Sequence, residues 1–205
     1  MGENVIVANV KPEGDKMILD LSAFWNSQFP DCLPLAHLLR DFHRDRWIRF
    51  HTLPDSKRYP ETEEEVQTIL RRHNMLIDEL SGSGAELLLL TTSGSLEEEP
   101  VRNAQVAALD SSAVFWRTIQ DHDVDEEWNW RLFASRWLWR KGILDPILKL
   151  VVEEEIRNVM LLSVPKRWIY HPYDGGADVI LSTPTERDRL RDAHMDWLSN
   201  HPSGL

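Results

Sequence analysis

The sequence predicts an α+β fold: a mixed β-sheet of five to seven strands with at least three helices packed against it, in a single domain over residues 1–205. Three observations carry this expectation. Residues 62–80 follow a clean helical apolar stripe. Ala85–Thr92 is a compact apolar run of strand length. Further helical and strand patterns interleave without the regular alternation of a βαβ chain.

Along the chain, Val5–Val10 and Met17–Leu21 are short apolar runs flanking the turn-like Lys11-Pro12-Glu13-Gly14-Asp15, which suggests a loose edge hairpin. Leu33–Arg40 reads as a short helix with Pro34 in its first turn and Leu35, Leu38 and Leu39 on one side. Trp47–Thr52 reads as a strand, because Ile48 and Phe50 alternate with Trp47, Arg49 and His51. Thr62 and Glu65 have the spacing of a capping box, followed by Val66, Ile69, Leu70, His73, Ile77 and Leu80 on one face. Ser81-Gly82-Ser83-Gly84 ends that helix.

Ala85–Thr92 suits a strand buried on both faces, and Glu97-Glu98-Glu99 a solvated loop. Val114–Ile119 reads as a strand. Trp128–Trp139 fits either period, and its aromatics favour strand. Asp145-Pro146 is expected to cap and open a helix reaching about Glu155. Strands follow at Asn158–Val164, Trp168–His171 and Ala177–Leu181, the last two joined by Tyr173-Asp174-Gly175-Gly176. Thr183, Pro184 and Glu186 open a final helix with Leu190, Ala193, His194, Trp197 and Leu198 as its inner stripe.

Composition narrows function. The formal net charge of −11 and the absence of a basic stripe disfavour nucleic acid and anionic membranes, and favour a basic protein partner. The bland alternative is that acidity serves solubility. Cys32 is the lone cysteine, so one chain can form no internal disulfide and no multi-thiolate metal site. Residues 1–20 lack a secretory pattern and Leu87–Leu90 is too short to span a bilayer, so the cytoplasm is the expected setting. Nine tryptophans promise either large buried rings or an aromatic binding surface.

Two loops carry candidate functional residues. In Trp168–Val179, the Asp-Gly-Gly explains itself as a tight turn, but His171 and Asp178 do not, and with Asp174 they could share acid–base work or hold a cation. In Leu53–Pro60, Lys57 and Arg58 beside Tyr59 could grip a carboxylate or phosphate, with Arg49 and His51 on the preceding strand. The plainer account is a purely structural turn for the first loop, and an internal salt bridge or a solvated loop for the second. Asp121-His122-Asp123-Val124-Asp125 begins like a calcium loop, but Glu126 and Leu132 stand where glycine and a bidentate acid belong. No Walker loop, G-x-G-x-x-G, H-E-x-x-H or G-x-S-x-G occurs, and no cofactor is implied.

The strings His51–Pro60 and Ile69–Asn74, with Tyr170–Val179 and Trp197-Leu198-Ser199, resemble the bacterial domain-of-unknown-function family 3885. The resemblance implies a bacterial cytoplasmic protein and no particular activity. It also directs attention to a meeting of Lys57 and Arg58 with Asp174 and Asp178. The preferred expectation is a non-catalytic binding protein, an immunity-type inhibitor of a basic toxin or effector, with tryptophans as anchors. Its rivals are a small hydrolase or phosphate-handling enzyme using His171, Asp174 and Asp178 with Lys57 and Arg58, and a homo-oligomer with tryptophans at its interface.

Overall fold

The computed structural model describes residues 12–95, 101–121 and 128–199. Among these residues the chain forms six α-helices and a seven-stranded sheet. The α+β class is as expected, while every strand pairing is antiparallel, not mixed. The Val5–Val10 run, the Glu97–Glu99 loop and most of the calcium-like stretch lie outside the described residues.

In chain order the helices are α1 (Pro12–Gln28), α2 (Ala36–Phe42), α3 (Glu63–Ser81), α4 (Ala104–Leu109), α5 (Asp145–Val152) and α6 (Pro184–Ala193). The strands are β1 (Trp47–His51), β2 (Glu86–Ser95), β3 (Val114–Asp121), β4 (Trp128–Leu138), β5 (Met160–Ser163), β6 (Trp168–Tyr173) and β7 (Gly176–Ile180), in the order β1-β7-β6-β5-β2-β4-β3.

The sheet is covered on both faces, and the side-chain period of two sorts each strand between two cores. Leu87 and Leu89 join Ile48, Phe50, Leu161, Tyr170 and Val179 under α3 and α5. Leu88 and Leu90 join Leu162, Ile169 and Ile180 under α1 and α2. The Leu87–Leu90 run is therefore apolar throughout because it has no solvent face.

The Thr62 cap is present: its hydroxyl accepts from the Glu65 N–H at 3.2 Å. Thr183 does the same for Glu186 at 3.2 Å. Several expectations need correction. Met17–Leu21 belongs to α1, where Met17, Leu21, Phe24 and Trp25 make one buried helical stripe, so no hairpin forms there. Pro34 precedes α2, which starts at Ala36. The N-cap of α5 is Leu144, and the Asp145 carboxylate instead accepts from Asn74 at 2.7 Å. After α6 the chain tightens into a 3-10 turn at Met195–Trp197, leaving Ala193 exposed and His194, Trp197 and Leu198 half-buried. Asn158 lies before β5 with φ of 55°.

All nine tryptophans are buried or half-buried, so none is an exposed anchor. Cys32 is buried, and burial pushes its thiol up to about 11, an inert packing residue. Among the described residues, no helix is long and apolar enough to cross a membrane.

Candidate functional site

Antiparallel pairing brings the two suspect loops together. β1 runs beside β7 with His51 opposite Gly176, so the loop leaving β1 must lie against the turn that enters β7. The contact is tight. A β-carbon on Gly176 would collide with the Phe50 carbonyl oxygen and reach within 3.0 Å of the Tyr173 hydroxyl, and one on Gly175 would stand 3.1 Å from Arg58 Cγ. Neither glycine has a positive φ, so the turn does not require them for their backbone freedom; they serve close approach.

Arg58 closes the junction, its Nε donating to Asp174 Oδ2 at 2.6 Å. Asp174 is buried, whereas the Arg58 side chain is 60% exposed. The guanidinium also lies over the Tyr59 ring, 5.2 Å from its centre. Lys57 does not take part. It holds Glu65 at 2.7 Å and Glu61 at 3.2 Å, fastening the loop to the start of α3.

A second polar group crosses the sheet. Arg49, Asp178 and His171 are direct neighbours on β1, β7 and β6, facing the α1–α2 side. Arg49 binds both oxygens of Asp178, at 2.8 and 2.7 Å. Its guanidinium lies between the Trp47 and Tyr173 rings, 5.6 and 4.8 Å from their centres. Asp178 is therefore claimed by Arg49, not by Lys57 or Arg58 as the sequence suggested. The sequence marks Arg49 as a polar residue on the strand before the loop, but nothing in its sequence neighbours identifies a partner 129 residues away.

His171 gives its Nδ1–H to the Val159 carbonyl at 2.8 Å, which leaves Nε2 as the lone-pair nitrogen. Burial is the main force lowering its pKa, so the ring is neutral near pH 7. His51 is lowered the same way, by burial first and then by Arg49. Burial raises the Tyr173 phenol well beyond its usual range.

Beside this polar row opens a cavity of about 390 Å³. Arg58, His171 and Asp174 line it, with Tyr173, His37, Trp130, Glu154, Arg157 and Asn158, and an apolar wall from Leu35, Val151, Ile156 and Pro172. Sequence reading missed His37, Glu154, Arg157 and Asn158. They come from α2 and from the connection between α5 and β5, and only the shared end of the sheet unites them. Among the described residues, no group of three or more His, Cys, Asp or Glu is arranged to hold a metal ion.

Residues 35–202 match the profile of a family described as Domain of unknown function (DUF3885). No curated protein and no solved structure gives a significant match.

Proposed function

Since the chain belongs to the DUF3885 family, whose profile spans every residue of the candidate site, we propose a function from the chemistry of that site: it is a non-catalytic protein that binds a basic protein partner. The observation that carries this reading is Tyr59. The residue is 47% exposed, its ring is backed by the Arg58 guanidinium, and it is followed by exposed Glu61, Glu63 and Glu64. Arg58 is in turn fastened to a buried aspartate, so the ring is offered from a braced loop. A fixed aromatic bordered by acids suits a cationic surface, and the net charge of −11 would speed the encounter.

The pairing of Lys57, Arg58 and Arg49 with internal carboxylates supports binding over chemistry, because these charges brace the loops. In its finer form the proposal is an immunity-type inhibitor in the bacterial cytoplasm, capping a basic toxin or effector. Immobilised protein should capture one dominant basic protein from an extract of its own organism, and Tyr59→Ala should release it. Capture unaffected by Tyr59→Ala would remove the basis of the reading.

One observation favours a second reading, a small hydrolase or phosphate-handling enzyme. The neutral His171, with Nδ1 fixed and Nε2 available at a cavity, has the form of a general base. Calorimetry with magnesium, manganese and nucleotides tests it. If Asp174→Ala leaves every heat signal unchanged, the enzyme reading fails.

A further inference from the structure

Independently of any protein partner, the cavity beside β6 has the composition of a small-ligand site. Its volume of about 390 Å³ falls in the range of pockets that enclose small molecules. One part of the wall is apolar, from Leu35, Val151, Ile156 and Pro172. The rim carries two guanidiniums, Arg58 at 60% and Arg157 at 75% side-chain exposure.

Neither cation is fully used by its carboxylate. Asp174 binds Arg58 through Nε alone, and Glu154 stands a loose 3.7 Å from Arg157 Nη2. The wall also holds a polar pair. His171 has its Nδ1–H committed to Val159, so Nε2 can only accept a hydrogen bond or a proton. Asn158 is 9% exposed; its Oδ1 accepts from the Ala36 N–H, which fixes the side chain in the wall, while its Nδ2 is closed off from solvent and has no acceptor among the described residues.

We propose that this cavity binds a small organic acid, with its flat apolar body against the aliphatic wall and its anionic head at Arg58 and Arg157. Guanidinium forks match both carboxylate and phosphate oxygens, so the shared chemistry is an oxyanion on an apolar body.

The test uses the purified full chain and three probes of one shape: phenylacetate, phenyl phosphate and the neutral phenylacetamide. Binding is followed by amide and indole chemical shifts. At least one acid should bind about tenfold tighter than the amide, with shifts at Trp130, Asn158 and His171. Whether phenylacetate or phenyl phosphate is the tighter identifies the natural head group. Arg157→Glu, a change at an exposed side chain, should abolish the preference for acids while leaving the melting temperature unchanged. Equal binding of acid and amide, shifts confined to other surfaces, or an unaffected Arg157→Glu protein would overturn the proposal. None of these outcomes depends on a protein partner, so this site and the Tyr59 surface stand or fall separately.

Discussion

Arg49 and Asp178 face each other across the β1–β7 ladder and are joined by two hydrogen bonds of 2.8 and 2.7 Å, with 15% and 7% of their side chains exposed. The pair fixes the edge strand to the sheet just where the candidate loops begin. Removing one partner strands the other charge in a desolvated place, which typically costs about 3–5 kcal/mol. Asp178→Ala should therefore lower stability by about that much in urea unfolding. Arg49→Met combined with Asp178→Leu should recover most of the loss, because a buried ion pair replaced by packed apolar groups is often neutral. Additive losses in the double variant would contradict this account.

The two glycines of the β6–β7 turn should respond unequally. Gly176→Ala drives a methyl group into the Phe50 backbone, which cannot move without unpairing β1. Gly175→Ala meets the flexible Arg58 side chain first, at 3.1 Å. The expected result is a large loss for Gly176→Ala, about 3 kcal/mol or more, and about 1 kcal/mol for Gly175→Ala. Thermal or urea melts distinguish them.

Stability should fall in mild acid because of buried histidines. His73 is 0% exposed, shares a 2.6 Å hydrogen bond with the Tyr170 hydroxyl, and burial lowers its pKa from 6.5 to about 3. Between those values the unfolded chain carries a proton that the folded chain refuses. The stabilisation is complete above pH 6.5 and is lost progressively as pH falls toward 3, in total on the order of 5 kcal/mol. His43, His51 and His171 are lowered too and act in the same direction. Replacing the titrating ring by the amide of His73→Gln should flatten the slope of unfolding free energy between pH 7 and pH 4.5. An unchanged slope would show that His73 is not a source of the acid sensitivity.

Local signals made much of this fold legible. Thr62 and Glu65 announce α3 because the hydroxyl and the N–H that meet lie three residues apart. Leu87–Leu90 announces a doubly covered strand because neither face meets water. The Asp-Gly-Gly turn is readable because the chain reverses within it. Helix α1 departs from the hairpin expectation because Met17–Leu21 is too short to separate the two periods, although Met17, Leu21, Phe24 and Trp25 hold a helical spacing over the longer stretch. The candidate site was half legible. Arg58 and Asp174 stood out as loop charges, but which acid each cation takes depends on register between distant strands. Asn158 and His37 join the cavity through tertiary packing alone.

Tyr59 carries the functional account, and it lies outside the lining of the cavity. The most direct measurement is quantitative affinity capture from the native organism with three immobilised proteins: the unaltered chain, Tyr59→Ala and Arg157→Glu. The account predicts one basic protein enriched on the unaltered chain and on Arg157→Glu, and lost on Tyr59→Ala. Equal recovery on Tyr59→Ala, or no basic protein enriched on any of the three, would contradict it.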